Sequence, residues 1–507
     1  MKPLQACINR QQNRGIFQNF GMLVVVLLAW CTFASAQHWT PVTPYPGSGA
    51  GTAILRTDGI VMVQELTAPA SAGGHATGNW WELVPDSGGS YATGSWSLFT
   101  STASLGYAPL YFGSAVLPND QIVFVGGEYN FGVQDDTNMG FVYRPILDKW
   151  ISLSPPSGWS KIGDAPTVVL PNGTFMVGDC CSAKEALLDF STLTWTSTGT
   201  GKADNNSEEG WTLLPNGKVL TVDTQNGTES ELYNPSTGKW SLAGKLPNPL
   251  PYNCGLSIVP ELGPAVLRPN GTVFVAGANG FTDIYKTSTK KWSKGPIFPP
   301  NSAGEGQDGV ADGPAAILPD GNVLVMASNI NPCFITPSDF YEFNGSTFIT
   351  APSPPNASNE VSYDGRMLVL PNGGHILFTD GTQDVEVYIP AGSAKSAWKP
   401  TITSFPSSVT RGNSYTIKGT QFNGLTQGAA YGDDAQSATN FPLVRLTDAV
   451  GNVYYAVTKN FSTMGVATGS KVVSATFIPP TSMPVGPATM VVVANGIESD
   501  SVGLTVF

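Results

Sequence analysis

Apolar and polar positions along this chain fall into one recurring phrase. A short apolar run ends in a leucine, a turn rich in Pro, Asn, Asp and Gly follows, and a second short apolar run closes the phrase. It reads "AILRTDGIVMV", "AVLPNDQIVFVGG", "TVVLPNGTFMVG", "TLLPNGKVLTV", "AVLRPNGTVFVAG", "AAILPDGNVLVM" and "LVLPNGGHILF". Each copy predicts two short β-strands joined by a tight turn. A third strand usually follows, as in "SELYNPSTGKW" (230–240) and "TDIYKTSTKKW" (282–292). A tryptophan, or Phe348 in one repeat, opens a fourth.

The leucines of the phrase stand at Leu55, Leu117, Leu170, Leu214, Leu267, Leu318 and Leu370, spaced by 62, 53, 44, 53, 51 and 52 residues. Four strands in roughly fifty residues is the grammar of a kelch-type blade, and the copies predict a seven-bladed β-propeller. One blade cannot bury its apolar faces alone, whereas a closed ring can, so the repeated Leu, Val, Tyr and Trp read as blade packing. The stretch "HWTPVTPYP" (38–46) is expected to supply the missing fourth strand of the last blade, with Trp398 as its competitor. After Lys399 the phrase stops, and residues 400–507 alternate without helix signals, which predicts an Ig-like sandwich. The expected fold is all-β: a propeller over 37–399 followed by an Ig-like domain over 400–507.

Charge and termini narrow the setting. Lys2, Arg10 and Arg14, the apolar stretch "GMLVVVLLAWCTF" and the "ASA" at 34–36 read as a secretory signal over residues 1–36, a better fit than lipidation at Cys31 behind the bulky Trp30. The protein is therefore expected to be secreted, outside the cell or at its surface, with no transmembrane segment in the mature chain. Formal net charge is −12 before any cleavage, with no basic cluster, which argues against nucleic acid and anionic membranes and permits cations. Cys180, Cys181, Cys254 and Cys333 remain after the signal, an even number in an exported chain, and predict two disulfides. A vicinal Cys180–Cys181 bond with Cys254–Cys333 is one pairing; a bond from one vicinal cysteine to Cys254 is the other.

Strand order gives the loops their sides. If the Pro-Asn-Gly turns lie at the bottom, the chain enters each first strand at the top, where irregular loops on a rigid scaffold commonly carry function. Seven residues before the turn proline stand Asp164, Glu208, Asp312 and Asp364, against roughly half an acid expected by chance in seven positions; the other repeats give Tyr111, Ala50 and Leu262, with Glu261 beside it. Carboxylates converging on one channel repel unless water or a cation compensates. Candidate ligand-binding residues are thus Asp164, Glu208, Glu261, Asp312, Tyr363 and Asp364. A hard ion such as Ca²⁺ is the candidate metal, at Asp312 and Asp364.

A kelch ring followed directly by an Ig-like domain resembles the galactose oxidase and glyoxal oxidase family, over nearly the whole mature chain. The resemblance implies alcohol or aldehyde oxidation at a copper site that needs two tyrosines, two histidines and a cysteine cross-linked to one of those tyrosines. One tyrosine–histidine pair of that family precedes a late blade turn, where this sequence has "Tyr363-Asp364-Gly365…LVLPNG". The second histidine follows a "YG" pair, and here "YGDDAQSATNFPL" (431–443) offers Gln436 instead. The whole chain has only His38, His75 and His375, and of these only His75 is placed to reach the top. Copper prefers imidazole nitrogen, so copper is not expected. The expected role is binding of a glycan or an extracellular protein through the acidic top face. An extracellular carbohydrate-active enzyme using paired carboxylates and a structural interaction module of the cell surface are the alternatives. No G-x-S-x-G or H-E-x-x-H motif supports catalysis.

Overall fold

The repeat phrase forms the strands it predicts. A computed structural model describes residues 36–254, 259–304, 306–434 and 437–507, so the signal segment, apart from Ala36, and Gln436 lie outside the described residues. In the third repeat Thr167–Val169, Phe175–Gly178, Glu185–Asp189 and Thr194–Thr198 pair antiparallel in chain order. Its turn is held by the Leu170 amide donating to the Thr174 carbonyl and the Gly173 amide donating to the Leu170 carbonyl, both at 2.8 Å. Gly173 sits at φ 89°, which a residue without Cβ adopts at little cost.

Among the described residues, seven sheets carry this four-strand pattern. First strands are buried along all or nearly all of their length, whereas fourth strands such as Lys291–Lys294 are largely exposed. Burial therefore falls from the inner to the outer edge of each sheet. A recurring aromatic pair joins strands three and four: Tyr143–Trp150, Tyr233–Trp240 and Tyr285–Trp292, with ring centroids 5.0, 5.4 and 5.1 Å apart.

The last sheet is completed from the beginning of the chain. His38–Pro41 pairs antiparallel with Glu386–Ile389 in the register Trp39↔Tyr388. Trp39 takes the place that the outer tryptophan holds elsewhere, 4.9 Å from Tyr388, and also packs on Phe340 and Phe378. Trp398 belongs instead to the 3-10 turn Ser396–Trp398.

Residues beyond the last sheet form a separate strand system. Thr401–Ser404, Tyr415–Thr420, Val473–Ile478, Val453–Lys459, Leu443–Asp448, Gly486–Ala494, Val502–Val506 and Ser408–Val409 are joined edge to edge in that order. This system lies against the turn side of the blades. The amides of Thr458, Phe461 and Met464 donate to the carbonyls of Thr57, Pro118 and Pro171. Residues 36–507 make one compact unit, and its largest apolar core runs from the first repeats into Ile417, Leu446 and Phe477.

One loop of the C-terminal part leaves that system and enters the ring. Its strand Ala429–Ala430 pairs antiparallel with the inner strand Ala315–Ile317, in the register Ala315↔Ala430. Because Ala315–Ile317 runs from top to bottom, its partner climbs from bottom to top. Residues 431–434 therefore emerge beside Asp312. Asn495 fixes the base of this loop, donating to the Thr426 carbonyl at 2.7 Å and accepting from Thr439 at 2.8 Å.

Candidate functional site

The top of the ring holds a cavity of about 620 Å³. Tyr111, Tyr129, Phe131, Phe334 and Tyr363 supply aromatic walls, with His75 among them, and Glu128, Asp164, Asp312 and Asp433 supply carboxylates. The first-strand geometry explains the convergence. Asp164, Glu208, Glu261 and Asp312 each precede the innermost strand of their own sheet, namely Thr167–Val169, Thr212–Leu213, Ala265–Leu267 and Ala315–Ile317. Four neighbouring inner strands thus point their leading residues at one spot.

These acids form two triads that share Glu208. Single oxygens of Asp164, Glu208 and Asp433 lie within 4.8 Å of one another, as do those of Glu208, Glu261 and Asp312. Burial dominates the electrostatics. Loss of water, reinforced by the neighbouring carboxylates, holds Glu208, Asp312 and Asp433 well above the usual carboxylate range. Burial also pushes Asp164 up to about 6 and Glu261 up to about 7. Asp434 rises to about 7, with the nearby Arg366 charge opposing the effect of burial, and Glu128 rises to about 8. Burial and mutual repulsion thus both work against negative charge in the cluster.

Tyr363 lines the cavity, 5.1 Å edge-to-face from Phe334. Asp364 stands apart from both triads: it accepts from the Ser71 amide at 2.9 Å and from the Ser71 hydroxyl. Arg366 stacks over Tyr431, 3.9 Å from the ring centre, and over Tyr111 at 5.2 Å, while donating to the Tyr363 and Gly365 carbonyls at 2.8 Å. Tyr431 in turn donates to the Tyr363 carbonyl at 2.8 Å. The stretch around Tyr363 is thereby tied to the inserted C-terminal loop.

The cysteines resolve as Cys180–Cys181 and Cys254–Cys333. The second bond places Phe334, next to Cys333, on the cavity wall. Of the histidines, His375 lies in the turn side of the last sheet, where its carbonyl accepts from the Leu370 amide, and His38 sits in the closing strand, leaving His75 as the imidazole of the cavity.

Sequence reasoning missed Asp433, Asp434, Glu128 and Arg366. The two aspartates stand in "YGDDAQ", directly after the "YG" pair, and their adjacency is the signal. Glu128 follows the second strand Ile122–Val125 on the top side, and an acid at that place was the available signal.

No family model and no curated protein matches the sequence. Solved structures do resemble it in fold. A fungal alcohol oxidase of the AA5 family, in complex with copper, matches with a TM-score of 0.50 at 14% identity, covering 93% of this chain and 100% of that one. A streptogramin B lyase matches with a TM-score of 0.47 at 12% identity over 70% of this chain and 97% of its own. The virginiamycin B lyase of Staphylococcus aureus gives 0.46 at 9% identity over 69% of this chain and 98% of its own. The fold is of the β-propeller kind and resembles that of the AA5 alcohol oxidase. At such identities the likeness concerns fold alone.

Proposed function

We propose that this protein is an exported glycan-binding protein, built as a seven-bladed kelch-type propeller with a C-terminal Ig-like domain, and that it holds no copper. Seven sheets of the four-strand pattern, the last closed by His38–Pro41, support the blade count. Two disulfides support an oxidising destination.

The observation that carries the reading is the cavity with aromatic walls over a carboxylate floor. Sugar rings present apolar C–H faces, which pack on rings such as Tyr129, Phe131 and Tyr363, and hydroxyls, which donate to carboxylates such as Asp164 and Asp312. A concave volume of about 620 Å³ suits one or two sugar units better than a flat protein epitope. The donor set at this place does not fit a copper site of the galactose oxidase kind. It offers phenols, carboxylates and the single imidazole of His75, and both Asp364 oxygens already accept from Ser71.

A screen of purified protein against a broad set of saccharides, followed by calorimetry on hits, tests the reading. Saturable binding weakened tenfold or more by Tyr363→Ala and Tyr129→Ala is expected. Absence of any saccharide ligand, with a secreted protein captured instead, would move the protein to the interaction-module reading. The carboxyls that titrate near neutrality give the enzyme reading a specific footing, since a general acid needs such a pKa. Turnover of aryl glycosides abolished by Asp164→Asn would establish it. Stoichiometric copper in the purified protein would sink the copper-free claim.

A further inference from the structure

We infer that the floor of the cavity is a site for one hard divalent cation, of the Ca²⁺ class, held by Asp164, Glu208 and Asp433. The oxygens of these residues all lie within 4.8 Å of one another. Two oxygens on opposite sides of a Ca²⁺ ion, each at about 2.4 Å, stand about 4.8 Å apart. The triad therefore lies within the span of one ion's coordination shell.

A second observation, independent of the clustering, points to a missing positive partner. Asp433 is only 4% exposed, and while its Oδ1 accepts from the Asp434 amide at 2.7 Å, its buried Oδ2 has no hydrogen-bond donor. Its side chain reaches the cavity floor, together with Asp164. Buried Glu261 Oε2 and Asp312 Oδ1, in the adjoining triad, also have no donor. An uncompensated buried carboxylate oxygen is costly, and an ion at this point supplies the counter-charge that Asp433 Oδ2 lacks.

The donors also select the ion. They are carboxylate oxygens only, the preference of Ca²⁺, Mg²⁺ and Mn²⁺ rather than of copper or zinc. The ion site differs from the Asp312 and Asp364 pair expected from sequence, because Asp364 is engaged by Ser71. It joins two blades to the C-terminal loop, and its cavity-facing side leaves coordination positions for water or for hydroxyls of a bound molecule. The ion stands whether or not a glycan occupies the cavity; only the role of those open positions rests on the glycan reading.

Calorimetry with Ca²⁺ on the purified full chain, after dialysis against chelator, tests the inference, alongside Tb³⁺ luminescence sensitised by Tyr111, Tyr129 and Tyr363 of the cavity wall. Expected results are one saturable Ca²⁺ site, tyrosine-sensitised Tb³⁺ emission displaced by Ca²⁺, and at least tenfold weaker binding in Asp433→Asn and Glu208→Gln. Glu360→Gln, which alters a buried acid outside the triads, is expected to leave binding unchanged. Asp164→Asn serves if Asp433→Asn does not fold. No saturable binding at millimolar Ca²⁺, or wild-type affinity in folded Asp433→Asn or Asp164→Asn, overturns the site. Loss of saccharide binding in a variant that still holds Ca²⁺ bears on the glycan reading alone.

Discussion

Gly432 passes so close to Asp312 that a Cβ on the glycine would stand 2.0 Å from the aspartate Oδ1. The contact joins an inner-strand acid to the loop that the C-terminal part sends up the ring, one residue before Asp433. Gly432 has no positive φ to explain it; space is what requires glycine here.

Gly432→Ala is therefore expected to push the loop away from Asp312 and carry Asp433 out of the cavity. Binding at the cavity should fall tenfold or more while the melting temperature drops by only a few degrees. Calorimetry and differential scanning fluorimetry on the same sample check both halves, and unchanged binding would contradict the placement of the loop.

Stability should depend on pH in a direction set by the buried acids. Asp164, Glu261 and Asp434 titrate at about 6, 7 and 7 in the folded protein, above their ordinary values of 3.8, 4.5 and 3.8. The folded state then holds protons that the unfolded chain has already released. The contribution of these groups to stability is present below the ordinary carboxylate range and is lost as pH rises through about 7. In chelator, the melting temperature is expected to fall across this window, with a shallower fall in Glu208→Gln. A flat profile, or the same slope in the variant, would count against the cluster.

Lys202 is a structural cation. Its Nζ is fully buried, 2.8 Å from Glu209 and 3.2 Å from Glu231, which are also buried, and it lies 5.2 Å from the Trp240 ring centre. Lys202→Met leaves two carboxyls without their counter-charge and should cost about 3–5 kcal/mol. Urea unfolding gives the number; a loss under about 1 kcal/mol would refute the assignment.

Trp39 fastens the closing strand, through its rings' contacts and its indole N–H, which donates to the Pro352 carbonyl at 2.7 Å. Because its indole is only half-buried, Trp39→Ala should cost about 3 kcal/mol, the low end of the range for aromatic truncation. Proteolysis should then cut first near residues 38–46. Wild-type resistance in the variant would show that the closing strand is not what holds the last sheet.

The sequence alone settled everything carried by local repetition. The leucine spacing, the Pro-Asn-Gly turns and the outer tryptophans determined the strands and their order, because turn chemistry and short apolar runs act over a few residues. Acids at a fixed offset before the turn were legible for the same reason: a constant place in each repeat becomes a constant place in the ring. Tertiary structure decided what depends on chain segments far apart in sequence. Asp433 follows Asp164 by 269 residues, and only the pairing of Ala429–Ala430 with Ala315–Ile317 lifts it to the cavity floor. Asp364 had the right offset, yet Ser71, 293 residues away, took its oxygens. A pattern along the chain reports which face a residue is on; which neighbours neutralise it is settled by packing between elements that no local pattern relates.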